Sequence, residues 1–144
     1  MKLKELMTTD VYSVTPNSSI KEAAELMRKL NVGSIPVCDE KKPVGIVTDR
    51  DIVIRNVAGS GNAGTPVKQV MTDNLVYGNP DMSDDEAVNL MATRQIRRLP
   101  VIEDGQLVGM VSLGDLAVNE MTDMEAAKAL TDISLPAKPK GVQK

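Results

Sequence analysis

Two short arrays set a hydroxyl three residues before a carboxylate: Thr48-Asp49-Arg50-Asp51 and Ser112-Leu113-Gly114-Asp115. At a helix start this spacing lets each side chain satisfy the other residue's backbone amide, which is a sufficient structural account of either array alone. The arrangement also suits a ligand. A capped helix start turns amides and positive dipole toward a phosphate, and an ionised carboxylate beside it accepts two hydrogen bonds from the cis-diol of a ribose. Repetition favours the second use, because each array follows a Gly-containing β-rich run, Gly45-Ile46-Val47 or Gly109-Met110-Val111. Other chemistry is poorly supplied. The chain has no histidine and a single cysteine, Cys38, which removes the commonest metal ligand, the usual general base and any internal disulfide. Cys38, beside Val37, reads as a small buried hydrophobe. The acids Asp81, Asp84, Asp85 and Glu86 fit a helix start and lack the alternating spacing of a calcium loop. No catalytic residue, metal site or required cofactor is assigned, and the chain is not read as an enzyme.

The arrays belong to a larger duplication. From Leu3 to Leu116 the chain is two copies displaced by 64 positions, the distance from Pro36 to Pro100 and from Gly45 to Gly109. Met7-Thr8 returns as Met71-Thr72, Pro16 as Pro80, and Ser19 with Glu22 as Ser83 with Glu86. A duplicated unit builds one body with a pseudo-two-fold axis, so anything formed between the copies should occur about twice. Two related clefts are expected. At 144 residues the chain fits one ordinary domain, while each copy alone buries too little surface, so the copies must share a core.

Each copy opens with an amphipathic turn, Leu3 to Met7 or Val67 to Met71, then an extended run, Val11 to Val14 or Leu75 to Tyr77. Ser19 and Ser83 each precede a glutamate by three residues, the capping-box spacing that predicts a helix in both copies. Ile20, Ala23, Ala24, Met27 and Leu30 recur at helical period, as do Ala87, Leu90 and Met91. Two β-rich runs follow in each copy, Ser34 to Cys38 with Pro43 to Val47 and Arg98 to Ile102 with Gln106 to Val111, joined by polar turn residues as hairpins. A second helix starts near Thr48 or Ser112. Boundaries fall at 1–58 and 67–130 for the copies, the second including a C-terminal helix, with a Gly-rich linker over 59–66 that reads as flexible. The tail 131–144 has too few apolar residues to pack and is expected to be disordered. The fold class is α+β, an α/β sandwich-like pair of β-α-β-β-α units.

Composition narrows the partners. Aromatics are 1% of residues, with only Tyr12 and Tyr77, so a ring-stacking platform for single-stranded nucleic acid is absent. A net charge of -3 and a pI near 5.0 argue against bulk electrostatic capture of nucleic acid, yet leave room for a small anion at a basic spot. No apolar run has the length of a membrane span and no secretory signal opens the chain, so a cytoplasmic location is expected.

The order of elements, the hydrophobic-Pro-Val step and the Gly-x-Val-[Thr/Ser]-x-x-Asp run resemble the CBS domain, the repeat named after cystathionine β-synthase. Ile35-Pro36-Val37 with Gly45 to Asp51 is echoed at the same spacing by Leu99-Pro100-Val101 with Gly109 to Asp115. The resemblance covers nearly everything but the tail. It implies a free-standing tandem pair that binds AMP, ADP, ATP or S-adenosylmethionine between its repeats and acts as an energy or metabolite sensor. A homodimer shaped as a flat disc with helical contacts, and an unidentified protein partner, are implied with it. The alternative is a ligand-independent dimeric interaction scaffold.

Carried over by position, one cleft would join Thr48, Arg50 and Asp51 to Asn79, Ile96, Arg97 and Arg98. The other would join Ser112 and Asp115 to Thr15, Val32, Gly33 and Ser34. Two adjacent arginines are ordinarily a solvated pair, but Arg97 and Arg98 stand immediately before the hydrophobic-Pro step. With Arg50 they would offer planar donor forks to an anionic nucleotide. The opposite cleft, with Gly33, Ser34 and Gly114 at the matching places, is expected to have no comparable cation. An adenine would lie among Ile35, Ile96, Val32 and Val47, with guanine remaining open.

Overall fold

The computed structural model describes residues 1–117; the helix and the disordered tail expected beyond Ala117 fall outside the described residues. Helix α1 spans Leu3–Leu6, α2 Ile20–Leu30, and α3 Asp49–Asp51, which runs into a π-helical stretch, Ile52–Val57. Helix α4 spans Asp84–Arg94 and α5 Leu113–Ala117, while a 3₁₀ turn, Val67–Gln69, stands at the place of α1 in the second copy. The strands are β1 (Ser34–Asp39), β2 (Lys42–Thr48), β3 (Arg98–Glu103) and β4 (Gln106–Ser112), paired as two antiparallel hairpins.

The expected caps form. Ser19 Oγ accepts the Glu22 amide and Ser83 Oγ accepts the Glu86 amide, both at 3.1 Å. Registers match across the duplication: Ser34 lies opposite Thr48 and Arg98 opposite Ser112, with an irregularity after Val37 and again after Val101. Each hairpin therefore brings the residue before its hydrophobic-Pro step beside its own hydroxyl cap.

The extended runs that open each copy contribute less than a strand. Only Val14 and Gly78 pair, as single parallel bridges to Val37 and Val101. Proline explains the short pairing. Val14 donates to Pro36 O and accepts from the Cys38 amide, so the next rung toward Tyr12 would need an N–H from Pro36, which has none. Pro100 ends the Gly78 pairing in the same way. The segment from Thr8 to Tyr12 is thereby released from β1.

Each copy lends its opening turn to the other. Leu3 N–H donates to Met82 O at 2.9 Å and Lys4 N–H to Pro80 O at 3.0 Å, and their equivalents join Val67 to Ser18 and Lys68 to Pro16. Antiparallel bridges Thr8↔Met110 and Ile46↔Thr72 extend the exchange. The two cores show the same trade. Leu3, with Leu6 and Met7 beside it, packs with Ala87, Val88, Met91, Leu99, Val101 and Leu116, whereas Val67 and Val70 pack with Ile20, Ala23, Ile35, Val37 and Val47. This reciprocal covering is how the copies share what neither can bury alone.

The conserved spacing of Gly45 and Gly109 within the duplication follows from this docking. A Cβ at Gly45 would meet Thr72 O, a backbone atom, at 2.7 Å, while a Cβ at Gly109 would meet the thioether of Met7. Gly45→Ala is expected to cost about 1–3 kcal/mol by overpacking, and Gly109→Ala less, because a methionine tail can swing aside and a backbone carbonyl cannot. Urea midpoints of the two variants measure the difference; equal losses would contradict it.

The Gly-rich linker is held in place. Asn56, which is buried, donates from Nδ2 to Asn62 O at 3.1 Å, and Ala63 O accepts the Lys21 amide at 3.0 Å. Composition pointed to flexibility, but the linker carbonyls of Ala63 and Thr65 accept the first amides of α2, those of Lys21 and Ile20.

Candidate functional site: two cavities between the repeats

The hairpins set the hydroxyl-acid arrays at the junction of strand and helix. Thr48 Oγ1 accepts the Asp51 amide and Asp51 Oδ2 accepts the Thr48 amide, both at 3.0 Å. Asp115 Oδ2 accepts from the Ser112 amide at 2.9 Å, and Ser112 Oγ accepts from the Asp115 amide at 3.1 Å. The structural reading of these arrays is thus realised in both copies. Asp51 is nearly buried, and its other oxygen, Oδ1, lies 3.9 Å from Arg55 Nε.

A cavity of about 670 Å³ opens between the copies. The first copy supplies Gly33, Ser34, Ile46, Thr48, Asp49 and Arg50. From the second come Gln95, Ile96, Arg97 and Arg98. Gln95 ends α4 in the left-handed conformation, at φ 55°, which turns the chain so that Ile96 to Arg98 run along the cavity wall. Three arginines and a single acid, Asp49, line it, so the cavity lining is basic within an acidic chain. Gly33 leaves room for that carboxylate, since a Cβ there would lie 3.0 Å from Asp49 Oδ2.

A smaller cavity, of about 200 Å³, lies along the released segment. Thr8, Asp10, Val11 and Tyr12 form one wall, and Val32, Ser34, Ile35 and Pro36 form another. Arg98 and Met110 of the second copy also line it. The expectation that this side has no cation is therefore corrected: Ser34 and Arg98 are equivalent positions beside the pseudo-two-fold axis, and both reach both cavities.

The structure brings Thr48, Arg50, Ile96, Arg97 and Arg98 together, and puts Val32 and Ser34 in the second cavity. Gly33 falls in the larger cavity, not the smaller one. Asp51, Asn79, Thr15, Ser112 and Asp115 line neither. Thr15 is engaged with Ser18, and Asn79 Oδ1 accepts the Asp81 amide at 3.0 Å. Val47, expected beside a base, is fully buried in the first core. Its neighbour Ile46 takes that place, as strand alternation from Thr48 dictates: residues 46 and 48 share a face and residue 47 points away. Asp49, Gln95 and the Thr8 to Tyr12 segment also line cavities without having been singled out by sequence. Cys38 is buried, and that burial pushes its thiol above the ordinary cysteine range. Among the described residues no helix is long and apolar enough to cross a membrane.

Comparison with known proteins places the geometry. The CBS domain matches residues 3–56 and again 67–121. The chain is similar to the CBS domain-containing protein YhcV of Bacillus subtilis (strain 168), with 52% identity over 132 residues covering 92% of this chain and 94% of that one. Its structure resembles CBSX2 in complex with AMP, with TM-score 0.73 and 25% identity over 85% of this chain and 98% of that one. It also resembles the CBS domain pair of protein MJ0100 in complex with 5'-methylthioadenosine and S-adenosyl-L-methionine, with TM-score 0.73 and 28% identity over 82% of this chain and 94% of that one. With two matched repeats that exchange their opening turns, the chain belongs to the CBS domain family as a tandem pair.

Proposed function

We propose that this CBS pair is a regulatory module, without catalytic activity, that binds an anionic adenosine ligand in the larger cavity and reports energy or metabolite status. The observation that carries this reading is the convergence of Arg50, Arg97 and Arg98 from both copies on one 670 Å³ space. That volume lies within the range of small-molecule sites, and guanidinium forks match phosphate oxygens. Ile46 and Ile96 supply apolar surface for a base. Asp51 lines neither cavity and acts through its cap on Thr48, which sets Thr48 and Arg50 at the cavity wall. AMP, ADP, ATP and S-adenosylmethionine are the ligands to compare, since two structural neighbours hold AMP or S-adenosyl-L-methionine.

Because the ligand touches both copies, it favours the relative orientation that it binds better, and that orientation is the signal. Saturating AMP at a hundredfold over its dissociation constant should raise stability by about 2.7 kcal/mol. Calorimetric titration and melting curves with the four ligands test this. No melting shift with any adenosine or guanosine compound would leave the ligand-independent scaffold. A homodimer is part of the proposal: Val53, Ile54 and Val57 of the π-helical stretch are 59%, 48% and 68% exposed, an apolar face suited to a second copy. Sedimentation giving a monomer at micromolar concentration would remove that part.

A further inference from the structure

Arg98 belongs to both cavities, and among the described residues it is the only basic one lining the smaller cavity, where it stands with Asp10 and Tyr12. Its Nε is buried without a hydrogen-bond partner, and none of the ion pairs among the described residues uses its guanidinium. A buried donor left unpaired is costly, so the Arg98 side chain gains by turning this nitrogen toward an acceptor held in either cavity. Position 34 is the equivalent site in the first copy and also reaches both cavities, but it carries a serine, so the axis holds one guanidinium where a symmetric pair would hold two.

We propose that Arg98 is a single anion-binding group shared by the two cavities, so that a phosphate held in one withdraws the cation from the other. This rests on the reading of the larger cavity as a ligand site and extends it to the smaller one. The larger cavity keeps Arg50 and Arg97 as well and takes the anion. The smaller is then left with Asp10 and no cation, and accepts a neutral or cationic ligand in preference to a second anion. Occupancy is thereby ordered by charge.

Calorimetric titration with AMP and with uncharged adenosine tests the sharing. Wild type should take one AMP per chain, with any second AMP weaker by about 10-fold to 100-fold, the effect of losing a charge-assisted hydrogen bond. AMP-saturated protein should still accept adenosine without that penalty. Ser34→Arg, which supplies a second guanidinium at the axis, should raise AMP stoichiometry from one to two. Arg98→Ser tests the same point without added bulk: AMP should weaken by about 10-fold to 100-fold while adenosine is unchanged. Two AMP molecules bound to wild type with affinities within about threefold, or Arg98→Ser leaving AMP affinity unaltered, would overturn the sharing and leave the cavities as ligand sites. Failure of both AMP and adenosine to bind would overturn the sharing together with the reading it rests on.

Discussion

Leu3→Ala is expected to lower the unfolding free energy by about 2–5 kcal/mol and to be felt in the second copy. Leu3 is fully buried, and its neighbours are Ala87, Val88, Met91, Leu99 and Leu116. The residue starts the first copy in sequence, yet the cavity left by its truncation would open under α4 and the β3–β4 hairpin. Removing a large aliphatic side chain from such a place costs its transfer free energy and the dispersion contacts of the void. Residue-resolved hydrogen exchange is the appropriate measurement. Amides of residues 84–112 should lose protection before those of residues 20–48. Loss beginning in α2 and the β1–β2 hairpin would show that the opening turn stabilises its own copy instead.

The second large effect concerns ligand response. Asp51→Ala, which removes the cap that sets Thr48 and Arg50 at the larger cavity, should reduce the stabilisation conferred by AMP more than Asp115→Ala does. The pair is informative because the caps are nearly superimposable: each carboxylate accepts the amide three residues earlier, at 3.0 Å for Asp51 and 2.9 Å for Asp115. Loss of either cap should cost about 0.5–2 kcal/mol in the absence of ligand. That common loss cancels in the comparison, so a difference in the AMP-induced melting shift isolates binding from folding. The arginines give the reason for asymmetry, since Arg50, two residues after Thr48, faces the larger cavity, whereas the equivalent residue of the second array is Gly114. Equal reduction of the AMP shift by both substitutions would refute the assignment.

Sequence reading was strongest where chemistry is local. The Ser19 and Ser83 caps, the two long helices and both hairpins depend on neighbours within a few residues, and duplication allowed each to be checked against its counterpart. It was weaker where two distant segments meet. A shift of 64 positions relates Leu3 to Val67 but does not say which core either residue enters. The short pairing of Val14 and Gly78 was legible in principle, because Pro36 and Pro100 lack the amide that another rung requires. At the cavities, alternation along β2 points to Ile46 where Val47 had been expected. The double exposure of Arg98 was not legible, since it depends on how closely position 98 approaches the axis.

The traded opening turns also bear on how such a molecule could arise. A lone copy whose lid belonged to someone else would display an uncovered apolar patch until it met its twin, and its persistence would depend on how much protein the cell made. Joining two copies through the short stretch 57–66 that lies between the matched repeats turns that encounter into a tethered one, for which the effective concentration is millimolar in order of magnitude for a short connection. Once tethered, the halves no longer have to remain identical. A serine on one side of the axis and an arginine on the other became a permissible inequality, which a symmetric assembly of identical subunits does not allow.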